Sequence, residues 1–74
     1  MKRFRFFEIF QSNPDGSLSP RRVVSINGVT FGPGVAFSRG VLFGGVNLFD
    51  YYELDIAVEE ENNIYVIKGF YKKQ

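Results

Sequence analysis

Between Gly28 and Phe49 the chain repeats every six residues, with Phe31, Phe37, Phe43 and Phe49 in one series, Val29, Val35 and Val41 in a second and Gly28, Gly34 and Gly40 in a third. Six is a multiple of the two-residue strand repeat and not of the 3.6-residue helical one, so the odd-numbered Val and Phe positions would share one face of extended chain. The even positions hold mostly small residues: Thr30, Gly32, Gly34, Ala36, Ser38, Gly40 and Gly44. Glycine inside a strand marks a bend or bulge, and proline is confined to ends and edges. Gly32-Pro33-Gly34 and Ser38-Arg39-Gly40 therefore read as corners. The expectation is a set of short strands stepping around a curve, with Phe and Val filling the inside. A β-helical solenoid would need small residues at fixed sites and more repeats than this stretch contains.

The flanking segments carry their own turn signals. Asn13-Pro14-Asp15-Gly16 follows the preferences of a type I turn, with Pro second and Gly fourth. Ser17 to Pro20 extends that loop, and Pro20 delays any central strand until Arg21. A strand over 21–26 places Val24 and Ile26 on one face and Val23 and Ser25 on the other, and Asn27-Gly28 then supplies a two-residue hairpin turn. Glu53 to Glu59 alternates cleanly, with Leu54, Ile56 and Val58 inward. Asn62-Asn63 can turn that strand back into a last one over 64–71, setting Val58 opposite Ile67, Ile56 opposite Gly69, Leu54 opposite Tyr71 and Lys68 opposite Ala57. Lys2 to Gln11 is apolar on both faces, Phe4, Phe6 and Phe10 against Phe7 and Ile9, as a strand covered on both sides would be. Asp50-Tyr51-Tyr52 has room for one helical turn.

The sum is an all-β chain, a small partly open antiparallel barrel or roll of five to six short strands, with at most one helical turn near Asp50. Its 74 residues make one domain, 1–74, near the lower limit for a self-sufficient core. Nine Phe and four Tyr compensate, since each ring buries on the order of 150–250 Å². Such an excess of rings is either packed tightly or shared with a second copy.

Histidine and cysteine are absent. That removes the usual general base, thiolate metal sites, disulfides and every Ser-His or Cys-His pair. The glycines lack the spacing of a dinucleotide fingerprint or a P-loop. Asp50, Glu53, Asp55, Glu59, Glu60 and Glu61 lack the spacing of an EF-hand and read as a solvated face. No enzyme, cofactor or metal is expected. Arg5 and Glu8 interrupt what would be the apolar core of a signal peptide, and no apolar run has the length of a membrane span. The expectation is a cytoplasmic protein without a membrane partner.

Charge is unevenly spread: residues 1–49 net +4, residues 50–62 net −6 and residues 63–74 net +3. This reads either as solvated faces or as two poles suited to head-to-tail self-association or to a polyanion. The site-like constellation is basic and aromatic, with Arg3, Phe4 and Arg5 near one terminus and Lys68, Phe70, Tyr71, Lys72 and Lys73 near the other. If the terminal strands lie side by side, the two sets merge into a surface for a partner or for single-stranded nucleic acid, cations for phosphate and rings for bases. Alternatively the rings are core and the charges protect strand ends. The functional expectation is a non-enzymatic interaction or assembly module, a homo-oligomer or a binder of a protein partner through an edge strand or aromatic patch. Nucleic-acid binding is the alternative.

Overall fold

The computed structural model describes residues 1–72 and is mostly strand. β1 (Lys2–Phe4) leads into a single α-helical turn, α1 (Phe6–Ile9), and then β2 (Phe10–Ser12). The helical turn corrects the expectation of one helical turn at most, near Asp50. Phe6, Ile9 and Phe10 stand at helical spacing, and all three are buried. One turn is too short to persist alone, and its ends are held from outside the apolar set. The Glu8 carboxylate accepts from the Arg5 N–H at 3.0 Å. At the other end, the Arg21 guanidinium donates to the carbonyls of Phe7 (2.8 Å) and Phe10 (3.2 Å), and the Arg21 N–H donates to Ile9 (2.7 Å). A strand that looked apolar on both faces is in fact broken by a turn that buries its extra rings.

The Asn13–Gly16 turn forms as its residues dictate, the Gly16 N–H donating to the Asn13 carbonyl at 2.9 Å. The chain leaves this turn as strand rather than loop: β3 (Leu18–Pro20) pairs antiparallel with β2, with Pro20 opposite Phe10 at the end of the ribbon. Asn13 locks the ribbon, its side-chain amide donating to the hydroxyls of Ser17 (2.9 Å) and Ser19 (2.8 Å).

β4 (Val24–Ile26) and β5 (Val29–Phe31) form the expected hairpin, with Ile26 opposite Val29. Asn27 and Gly28 have φ of 49° and 83°, the two positive values a type I′ turn requires. β6 (Ile56–Glu61) and β7 (Ile64–Phe70) form the second hairpin, turning on Asn62 and Asn63 at φ of 50° and 67°. Val58 faces Ile67 as expected, but beyond a bulge Ala57 faces Gly69 and Ile56 faces Phe70, so the expected pairings of Ile56, Leu54 and Lys68 are displaced. Lys68 is the extra residue. Gly69 beside it is the kind of strand glycine that marks a bulge.

The main sheet runs in the order β1-β6-β7-β4-β5, and β2 with β3 makes a separate two-stranded sheet. There are seven strands rather than five or six, β4 lies parallel to β7, and no barrel closes among the described residues. The all-β class holds. The core lies under one face of the main sheet, where Val24, Ile26, Ile56, Val58, Tyr65 and Ile67 meet Phe6, Ile9, Phe10, Leu18, Phe37, Phe43 and Leu48.

The six-residue repeat is only partly β. After β5 the chain makes turns at 32–35, 38–41 and 43–46, each closed by a backbone hydrogen bond, and then a 3₁₀ turn at Leu48–Tyr51. The period is therefore in part a turn period: the turns at 32–35 and 38–41, six residues apart, each return the chain to the core at the next phenylalanine, Phe37 and then Phe43. Phe31, Phe37 and Phe43 meet with ring centroids 4.7–5.1 Å apart. Phe37 and Phe43 are buried, Phe31 and Phe49 half-buried, while Val29 and Val41 face solvent against expectation. Gly44 seats this segment on the sheet. At φ 57° its Cβ position would lie 2.5 Å from the Ile26 carbonyl oxygen, and the Asn27 side-chain amide donates to its carbonyl at 2.9 Å.

Candidate interaction surfaces

The charges that are separated along the chain are interleaved across the sheet. Acidic β6 lies between two strands bearing cations, β1 and β7. Lys2 reaches Glu60 at 3.5 Å, Lys68 reaches Glu59 at 3.8 Å, and the Arg3 Nε donates to the Asp55 carboxylate at 2.8 Å. All are exposed or nearly so, and each is worth a fraction of a kcal/mol to about 1 kcal/mol. Together they favour one strand order over another. The uneven charge of the sequence is in part a pairing pattern.

Of the basic and aromatic residues that the sequence marks as a candidate site, the structure gathers some and separates others. The terminal strands are not neighbours, since β6 lies between β1 and β7. Arg3 nonetheless spans the gap: its guanidinium sits 4.1 Å above the Tyr71 ring, and Tyr71 is held there by its N–H, which donates to the Asp55 carbonyl at 2.9 Å. Arg5 is exposed and lines a shallow cleft of about 410 Å³ with Phe6, Phe7, Glu53 and Asp55. Lys72 is exposed beside Tyr71. Lys68 borders a different groove, with Ile26, Asn27 and Val46. Phe4 stacks on Tyr65 at 5.3 Å and Phe70 on Tyr51 at 4.4 Å, both half-buried against the core. Lys73 lies outside the described residues. The two phenylalanines thus pack against the core, and two of the cations already have carboxylate partners.

A second surface is one that the density of charge and aromatic residues along the sequence does not mark. β5 is the other outer strand of the main sheet, and Val29 and Thr30 on it are exposed. With a two-residue turn, Ile26 and Val29 form the hydrogen-bonded pair of the β4–β5 ladder, and Ser25 with Thr30 the non-hydrogen-bonded one. Thr30 therefore directs both its N–H and its C=O away from the sheet. Exposed aliphatic side chains occur on this strand and in the loop whose phenylalanines pack on Phe31. Val29 is on it, and Val23 approaches Gly32 at its end. Val41 and Leu42, 46% and 59% exposed, immediately precede Phe43, whose ring packs on Phe31 of β5. No charged residue occurs from Val23 through Ser38. That uncharged run is the signal by which the sequence could have shown it.

Elsewhere the chemistry is sparse. Among the described residues no three His, Cys, Asp or Glu side chains gather as a metal site would require, and no helix is long and apolar enough to cross a membrane. Asp15 titrates below the usual carboxylate range because Ser17 donates to it from both its hydroxyl (2.6 Å) and its N–H (2.9 Å), which secures the turn.

Compared with known proteins, the chain matches no family model, no curated protein and no solved structure.

Proposed function

We propose that this chain is a non-enzymatic interaction module, a small partly open β roll that works by protein–protein contact through the β5 edge and the aliphatic side chains around it. The observation that carries this reading is an outer strand that is exposed and uncharged, with Val29 exposed on it and Val41 and Leu42 exposed in the loop whose Phe43 packs on Phe31. Outer strands are ordinarily blunted by charge, proline or cover, and an open one is a template for another chain. Site-directed photocrosslinking in cells that make the protein tests it. A benzophenone amino acid at Leu42 is expected to give a discrete adduct, and the same probe at Glu61, on β6 and separated from β5 by β7 and β4, none. Equal labelling from both positions, or none from Leu42, removes the reading.

Single-stranded nucleic-acid binding is the second reading. It is favoured by the exposed Arg5 and by Lys72, exposed next to the 38%-exposed Tyr71. It is the weaker one, because Arg3 and Lys68 are already matched to Asp55 and Glu59 and the net charge is only +1. It requires oligonucleotide binding that weakens steeply with salt; no binding at low salt removes it.

A further inference from the structure

We infer that the partner at β5 is a second copy of this chain, its own β5 edge paired antiparallel to the first about a two-fold axis at Thr30. This rests on the proposed contact role of β5 and adds the identity of the partner. A two-fold axis places every residue near its own counterpart, so an edge that carries charge repels itself and an uncharged edge does not. The main sheet has one edge of each kind. β1 would bring Lys2 and Arg3 against the same residues of another copy, whereas β5 lies inside the stretch from Val23 to Ser38 that holds no charge.

The ladder geometry fits the same operator. Thr30 points both backbone groups outward, so with Thr30 opposite Thr30 each copy donates one hydrogen bond and accepts one, as a hydrogen-bonded antiparallel pair does. On the outer face of the sheet the two threonine side chains meet, a favourable cross-strand pair. On the core side Val29, 38% exposed, meets the second copy's Phe31. Gly32-Pro33 ends the strand, so the pairing is short. Val41 and Leu42, exposed just before the Phe43 that packs on Phe31, are the further apolar surface available to it.

The experiment is light scattering on the purified chain across about three decades of concentration, since a weak dimer appears by mass action. The mass is expected to rise from 8.5 kDa toward twice that value. Thr30→Pro removes the outward N–H and leaves the β4 ladder intact, so it is expected to stay monomeric with an unchanged circular dichroism spectrum. Thr30→Lys keeps the N–H and sets two cations together at the axis; it covers the case in which the proline variant fails to fold, and is expected to weaken association at least about tenfold. Arg3→Ser, on the opposite edge, is expected to leave association unchanged. A strict monomer throughout, or a dimer indifferent to the folded Thr30 variants, overturns the inference. If the chain is monomeric while Leu42 still crosslinks to another protein, self-pairing falls and the contact reading stands; if both are absent, both fall.

Discussion

The two outer strands of the main sheet are finished differently. β1 ends the sheet with Lys2 and Arg3, and the chain turns at Arg5 into α1; Lys2 and Arg3 each reach across to a carboxylate. β5 ends it with Val29, Thr30 and Phe31, and the nearest charges in sequence are Arg22 and Arg39. A charged edge discourages another strand from docking. The contrast marks the proposed contact surface by its missing guard rather than by an added feature. The edges also differ in what supports them: β1 leans on an ion-paired neighbour, β5 on rings delivered by a loop, through Phe31 against Phe37 and Phe43.

The largest test of that contrast is at Gly44, where the loop is seated behind β4 and β5. Gly44→Ala drives a methyl group onto the Ile26 carbonyl oxygen at a φ of 57°, and is expected to cost about 2–4 kcal/mol in urea unfolding. Gly40→Ala shares the positive φ, at 85°, but meets no neighbour, and is expected to cost only about 1–2 kcal/mol. Equal losses would mean that backbone conformation alone matters and that the loop does not brace the β5 edge.

These supports also separate what was legible in the sequence from what was not. Asn13–Gly16, Asn27-Gly28 and Asn62-Asn63 each specify a turn within four residues, and the structure contains all three. The alternation of Ile56 and Val58 is equally local, although the strand begins at Ile56 and not at Glu53, which stands in a turn at φ 67° and leaves Leu54 half-buried before it. α1 was hidden because the groups that hold its C-terminal carbonyls come from Arg21, 11 residues or more away. The parallel contact of β4 with β7 joins segments about 40 residues apart, Val24 with Tyr65, and leaves no local trace. The phenylalanine period was real, but spacing by six serves a repeating turn as well as a strand, and only the closing hydrogen bonds distinguish them. In the candidate site, residue type marked Phe4 and Phe70 for a surface, whereas burial against Tyr65 and Tyr51 is set by the fold. The uncharged run over β5 was readable but inconspicuous, because a site is usually sought where chemistry is dense.

At β1 the expected effect is smaller and depends on salt. Arg3→Ala loses the contact with Asp55 and the stack on Tyr71; both are open to solvent on the Arg3 side, so stability is expected to fall by about 0.5–1 kcal/mol at low ionic strength. At about 1 M salt, where the Debye length is about 3 Å, the difference from wild type should shrink. Association at β5, which involves no charge, should not weaken in the same titration. A parallel weakening of both would mean that the two edges are not chemically distinct.

The smallest effect comes from a turn that belongs to neither edge, and it separates titration from edge chemistry. The Asp15 carboxylate is held below its ordinary value of 3.8 because the Ser17 hydroxyl and N–H donate to its charged form. A group whose folded pKa is depressed adds stability that is complete above its unfolded pKa and is lost as pH falls through the folded one. Asp15→Asn should therefore melt slightly below wild type at neutral pH, and the gap should close in acid as the folded carboxylate takes up its proton. From Val23 to Ser38 nothing titrates, so the Asp15 change should leave β5 association untouched at either pH. A gap that stays constant with pH would show that Ser17 does not favour the ionised carboxylate. An association constant that followed the gap would tie the Asn13–Gly16 turn to an edge with which it shares no strand pairing.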